Sequence, residues 1–275
     1  MTRQTLTVAI VTDAFPTESD WPRLLDIMRE AKGRGGELAV LPEIPLNPWS
    51  PVSKEPREED AEEVGGPRQA FQAEAAAKVG IALLGGAIIR DPESGVRHNT
   101  GLLFGADGAC LARYRKVHLP EEEGYWETSH YEPGTEPPAV VEGLSMPVGI
   151  QLCSDVNRTT GFQLLSAQGA EAVLAPRCTP PQTYDRWHLV LRANAVTSCA
   201  YVVSANRPAP TPDGLIGGAS LALGPSAEVL VETTEPLAMV TLDRQVVRDA
   251  KAEYPGYLEV YPELYARGWR EVAEG

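Results

Sequence analysis

The stretch VGIQLCSDVNRTTGFQLLSAQGAEAVLAP, residues 148–176, constrains the fold more than any other part of this chain. Val148 to Leu152 is an apolar run that predicts a buried strand. A sharp polar turn carries Cys153, a helix is predicted over about Gly161 to Gly169, and Ala172 to Ala175 reads as a second buried strand. A thiol at such a strand-to-helix elbow is exposed and strained beside free backbone N–H groups, which are the conditions that make cysteine a nucleophile. Free cysteine is also among the most buried residue types, so the rest of the chain has to decide between the two uses.

The flanking sequence repeats the strand and helix alternation. TLTVAIVT predicts a strand, DWPRLLDIMREAKGRGG a helix with Asp20 as N-cap and a glycine stop, and ELAVLPE a buried strand ending in a carboxylate. A polar loop follows, with Lys54 to Glu63 read as solvated, then the helix QAFQAEAAAKVG and the strand IALLGGAII. NTGLLF and CLARYRK straddle GADG as a hairpin. Beyond the elbow come the helix DRWHLVLRANAVTSC, the strand YVVSAN and three further strands, ASLALG, EVLVETT and AMVTLD. The helix DRQVVRDAKAEY leads into a proline- and aromatic-rich tail. The expectation is an α/β protein whose sheets are covered by helices, with too many hairpins for a simple Rossmann sheet.

With 275 residues and 43% hydrophobic content, one large core is affordable, and no linker divides the chain, so residues 1–275 are read as a single domain. A net charge of −14 argues against nucleic acid and anionic membrane as partners. Cys110, Cys153, Cys178 and Cys199 show no metal-site spacing. No secretory signal opens the chain and no apolar run reaches transmembrane length. Together these predict a soluble, reduced, cytoplasmic protein.

Three reactive side chains close buried runs: Glu43 in LAVLPE, Lys116 in CLARYRK and Cys153 in VGIQLC. In α/β sheets ligands bind where strands end, so the three are positioned to meet in one pocket. Singly, Glu43 or Lys116 is more often no more than a solvated strand end. Together they define a reaction: a desolvated carboxylate serves the thiol as base, and a lysine ammonium with the Ser154 N–H stabilises the oxyanion formed by attack on a carbonyl.

In this order and spacing, LAVLPE, YRKVHLP and QLCSD resemble the Glu–Lys–Cys signature of the nitrilase superfamily, the carbon–nitrogen hydrolases, over nearly the whole chain. GYWETSHYEPGTEP resembles the segment holding that family's second glutamate, which falls at Glu127, and PELYARGW resembles its C-terminal tails. The resemblance implies a four-layer α-β-β-α sandwich and a homodimer or higher homo-oligomer, with the tail from about residue 255 used in oligomer contacts. It implies Cys153 as nucleophile, Glu43 as general base and acid, Lys116 as stabiliser of the tetrahedral intermediate, and Glu127 as the group orienting lysine and substrate. Neither metal nor organic cofactor is implied.

Ser154 and Asp155 follow the cysteine where true nitrilases commonly carry Trp-Glu, which brings the chain closer to the amidase and carbamoylase branches. Val156 and Asn157 stand where D-amino-acid carbamoylases carry two arginines, leaving Arg158 or Arg177 to hold a substrate carboxylate. The expected substrate is a small amide or an N-carbamoyl compound, with nitrile hydrolysis by the same residues as the alternative. Trp49, Tyr125, Trp126 and Cys178 are candidate pocket walls, and Trp187 reads as helix core. A papain-like hydrolase would pair Cys153 with one of His98, His118, His130 or His188, and nothing in the sequence places any of them there. A non-catalytic binding protein on this scaffold would have lost one of the reactive residues, and all are present.

Overall fold

A computed structural model describes residues 4–208 and 215–274. The chain opens with β1 (Thr5–Val11), α1 (Trp21–Gly33), β2 (Leu38–Val40), β3 (Ala61–Glu62), α2 (Pro67–Val79) and the long β4 (Ala82–Arg90). β5 (Arg97–Phe104) and β6 (Cys110–Arg115) form the expected hairpin, and β7 (Glu121–Glu122) with β8 (Tyr125–Trp126) makes a small ribbon. The elbow unit supplies β9 (Val148–Ile150), α3 (Thr160–Ala167) and β10 (Ala172–Leu174), followed by α4 (Tyr184–Ser198) and β11 (Tyr201–Ser204). β12 (Ser220–Leu223), β13 (Val229–Thr233), β14 (Leu237–Asp243), α5 (Arg244–Ala252) and α6 (Pro262–Glu274) complete the order.

One sheet runs β14-β1-β2-β4-β5-β6 with β3 beside β4, and the other runs β13-β12-β11-β10-β9. Alternation along the strands builds the layers. Leu6, Val8, Ile10, Leu38, Val40 and Leu84 of the first sheet face Val148, Ile150, Leu174 and Val203 of the second across a shared core. The opposite face of the first sheet packs against α1 and α2 through Leu24, Met28, Ala31, Ala75 and Ala76, and the second sheet packs against α3 and α4 through Phe162, Leu165, Leu191 and Ala195. The result is the α-β-β-α sandwich. Each fully buried Leu, Ile, Val or Phe in it contributes about 1.5–3 kcal/mol. β14 crosses to the first sheet and pairs antiparallel with the whole of β1, from Thr5↔Asp243 to Val11↔Leu237, which ties the two ends of the fold together.

Several local features depart from the sequence reading. Asp20 occupies the N-cap position of α1, yet its carboxylate turns back to the Thr17 N–H at 3.0 Å and hydroxyl at 2.7 Å, closing the preceding turn instead. Lys54 to Glu63 is not wholly solvated. Asp60 and Glu62 are buried, because Ala61–Glu62 pairs with β4 and Glu62 accepts from the N–H groups of Arg68 and Gln69 at the start of α2. The glycine pair of IALLGGAII, by contrast, lies inside a strand as the sequence reading has it, in β4, where the Gln72 side chain bonds both the N–H (2.9 Å) and the carbonyl (3.2 Å) of Gly86. A Cβ at Gly85 would stand 1.9 Å from Gln72 Oε1, so glycine there makes room for that bond. The aromatic tail ends in a helix, α6, none of whose residues is buried.

Candidate active site

Strand ends deliver the reactive groups. Glu43 follows β2, Lys116 follows β6 directly, and Cys153 follows β9. The loop carrying Glu43 is held by Arg207, whose Nη2 donates to the carbonyls of Ile44 (2.5 Å) and Asn47 (2.8 Å). Ile44 sits at φ +38°, a conformation a branched side chain adopts only when its surroundings impose it.

Glu43, Lys116 and Glu127 meet in one buried cluster, all three side chains 0% exposed. Lys116 Nζ donates to Glu43 Oε1 at 2.8 Å and to both oxygens of Glu127 at 2.7 Å. Burial alone would lower the Lys116 pKa, but the carboxylates of Glu127 and Glu43 override it and hold the ammonium charged well above its ordinary range. Burial raises Glu127 to about 7 against the pull of Lys116, with Glu43 adding to the rise.

Cys153 begins a short 3-10 turn at φ +44°, the strained elbow that the sequence predicts. The thiol is buried, however, where the sequence reading has it exposed. Its N–H bonds the Pro176 carbonyl at 2.9 Å, and Sγ lies 3.9 Å from the Cys178 carbonyl. Burial and, next, the Glu43 carboxylate push the thiol well above its ordinary pKa, while Lys116 pulls it down. The resting sulfur is therefore a neutral thiol, and it needs a base at the moment of attack. The Ser154 hydroxyl donates to the His118 carbonyl, and the Ser154 N–H has no hydrogen bond to another described residue.

The elbow is strapped to the lysine loop. Asp155, fully buried, accepts from Tyr114 Oη at 2.9 Å, from the N–H of His118 at 2.8 Å and from that of Val117 at 3.2 Å, and it pairs with His118 Nδ1 at 2.7 Å. His118 thus has a structural task, and no histidine approaches the thiol: His98 bonds the Glu132 carbonyl, His130 the Ser53 carbonyl, and His188 lies 4.0 Å from Glu232.

Among the candidate walls, Tyr125 is buried within electrostatic reach of Cys153, Cys178 and Glu43, and its hydroxyl donates to the Leu215 carbonyl at 2.7 Å. Trp49 packs on Tyr125 with ring centroids 5.6 Å apart and donates from Nε1 to the Gly124 carbonyl at 2.9 Å. Trp126, next along the strand, carries Lys54 Nζ 4.1 Å over its ring instead, as alternation requires. Cys178 is buried, with Glu43, Lys116, Glu127 and Arg207 all close enough to act on its thiol. Trp187 packs into the α4 side of the core.

Arg177 is completely buried and donates to Ser204 Oγ (2.9 Å), Thr179 Oγ1 (2.6 Å) and the Ala219 carbonyl, which commits it to joining strand ends. Desolvation lowers it to about 10. Arg158 lies exposed beyond the elbow. Sequence reasoning misses three residues that organise the site: Asp155, Arg207 and Asn99. Asn99 donates from Nδ2 to Glu43 Oε1 at 2.8 Å. Asn99 stands in the polar half of β5, Arg97-His98-Asn99-Thr100, so no local signal singles it out. Among the described residues, no group of three His, Cys, Asp or Glu side chains is arranged to hold a metal ion, and no helix is long and apolar enough to cross a membrane.

Comparison with known proteins places this geometry. The carbon–nitrogen hydrolase family model matches residues 7–252. An omega-amidase NIT2 from Danio rerio is 29% identical over 254 residues, covering 89% of this chain and 90% of that one. An amidase structure from Nesterenkonia sp. superposes with a TM-score of 0.77 at 26% identity, covering 97% of each chain. A carbon–nitrogen hydrolase structure from Helicobacter pylori gives 0.84 at 19% identity, over 95% of this chain and 97% of the other, and so shares the fold.

Proposed function

Since the chain belongs to the carbon–nitrogen hydrolase family, we propose that it hydrolyses a small primary amide through a thioester on Cys153, releasing ammonia. The observation that carries this reading is the buried cluster in which Lys116 Nζ bridges Glu43 and Glu127 beside a neutral thiol. Glu43 takes the Cys153 proton as sulfur attacks the carbonyl carbon. The resulting oxyanion is met by the Lys116 ammonium and the unused Ser154 N–H, donors fixed before the reaction begins. Glu43 then returns the proton to nitrogen, the C–N bond breaks and ammonia leaves. In the second half, Glu43 takes a proton from water as its oxygen adds to the thioester carbonyl. The C–S bond then breaks, Glu43 returns the proton to sulfur, and the acid product departs. Glu127 holds the ammonium from its far side.

Within this class, the ω-amide of a dicarboxylate is the substrate we favour, because the relative from Danio rerio is an omega-amidase. N-carbamoyl compounds and nitriles are the competing classes. Ammonia release from a panel of all three, with Cys153→Ala beside the wild type, tests the reading. Release from ω-amides that disappears in Cys153→Ala supports it, and full release by Cys153→Ala overturns it.

We also propose that residues 1–275 act as one cytoplasmic domain that assembles with a second copy through the tail from about residue 255. The exposed Tyr257, Leu258, Tyr261, Tyr265, Trp269 and Val272 support this, since an apolar surface of that kind gains stability when covered. Sedimentation of the chain with and without residues 255–275 tests it, the truncated chain being expected as a monomer.

A further inference from the structure

We propose that Asn99 is the positioning residue of the general base: it clamps Oε1 of Glu43 so that Oε2 is the oxygen that exchanges protons. The inference rests on the reading of Glu43 as that base. Asn99 is 1% exposed, in β5, and it touches two of the reactive residues. Its carbonyl accepts the backbone N–H of Lys116 at 2.9 Å, and its side-chain Nδ2 donates to Glu43 Oε1 at 2.8 Å. Lys116 Nζ reaches that same oxygen at 2.8 Å. The other oxygen, Glu43 Oε2, is buried with no hydrogen-bond partner among the described residues.

Leaving a buried carboxylate oxygen unpaired is costly, and native proteins rarely tolerate it without a use. The asymmetry supplies one. Donors saturate Oε1, so the proton that leaves Cys153 as its S–C bond forms has Oε2 to go to. The same atom returns that proton to the nitrogen as the C–N bond breaks. One donor alone would leave the carboxylate free to rotate, because the terminal torsion of Glu is broad. A second donor, from a different strand, fixes its plane. Asn99 Oδ1 is itself buried without a partner among the described residues, so the amide is not placed there to satisfy both of its own ends.

The test is the acid limb of the kcat/KM pH profile in Asn99→Leu, which keeps the volume and removes the donor, and in Asn99→Asp. Losing a hydrogen bond to the charged carboxylate disfavours that form, so the limb moves up by about one pH unit in Asn99→Leu. It moves further in Asn99→Asp, where a second acid competes for the same proton. kcat falls by about 10- to 100-fold with KM nearly unchanged, the pattern of a lost transition-state interaction. For a variant too slow to assay, the pH dependence of Cys153 alkylation by iodoacetamide, read by intact mass, reports the same shift. A limb or alkylation curve at the wild-type pH in either folded variant overturns the role of Asn99. Ammonia release that survives Cys153→Ala would instead overturn the reading beneath it.

Discussion

Asp155, two residues beyond Cys153, accepts hydrogen bonds at 2.8 Å from the backbone N–H and at 2.7 Å from the ring Nδ1 of His118, itself two residues beyond Lys116. The elbow that presents the thiol and the loop that presents the ammonium are thereby locked to each other through one buried carboxylate. Asp155→Asn weakens these charge-assisted bonds and is predicted to lower stability by about 3 kcal/mol in urea titration, together with a loss of kcat. His118→Ala, whose side chain is 45% exposed, keeps the backbone bond and costs about 1 kcal/mol. Equal losses in the two variants would show that the strap is not the backbone contact.

Lys116 is the only cation bonded to the carboxylates of Glu43 and Glu127 among the described residues. In Lys116→Met both acids stay buried without it. The predicted loss is about 3–5 kcal/mol at pH 8. It shrinks at pH 5, where the Glu127 carboxyl, raised to about 7, is protonated, and kcat falls by about 100-fold or more. The same stability deficit at both pH values would contradict the account.

Glu127 gives a pH signature. Its folded carboxyl is raised from the ordinary 4.5 to about 7, so between those values the native protein keeps a proton that the unfolded chain has released. Its contribution to stability is therefore fully present below pH 4.5 and is lost as pH rises through 7. The wild type, measured against Glu127→Gln, should lose about 3 kcal/mol between pH 4.5 and 7.5. A difference that stays flat would mean the carboxyl is ionised throughout.

The Trp49 and Tyr125 contacts predict a split between binding and chemistry. We propose that Trp49 and Tyr125 wall the substrate pocket. Trp49→Phe removes the bond to the Gly124 carbonyl and Tyr125→Phe removes the bond to the Leu215 carbonyl, loosening both rings. Steady-state assays should show KM rising several-fold with kcat little changed. Trp126→Ala should leave both constants alone. An effect of Trp126→Ala equal to that of Trp49→Phe would reverse the assigned faces.

The sequence makes the strand-end groups readable because each closes a strand, and two of those strands, LAV before Glu43 and VGI before Cys153, are wholly buried. CLARYR before Lys116 buries only Tyr114, because it is the edge strand of its sheet, and the lysine itself turns inward. The sandwich follows from the same runs and from the amphipathic helices between them. The residues that orient the site are less legible, because their partners lie far away in sequence. Asn99 and Glu43 are 56 residues apart, and Arg207 and the Glu43 carbonyl 164. No local pattern encodes such pairs. The buried state of Cys153 is hidden for the same reason, being set by the carbonyl of Cys178 and the core around it rather than by its own turn. The α6 helix escapes reading because none of its residues is buried among the described residues, so its aromatic face enters no core of its own chain.

The central claim is that turnover passes through an acyl group on Cys153. The most direct measurement is acid quenching of the enzyme during turnover of a dicarboxylate monoamide, followed by peptide mass mapping. The account predicts the acyl mass on the peptide containing Cys153, absent in Cys153→Ala. Turnover with no such adduct, or with the acyl mass on Cys178 instead, would contradict it.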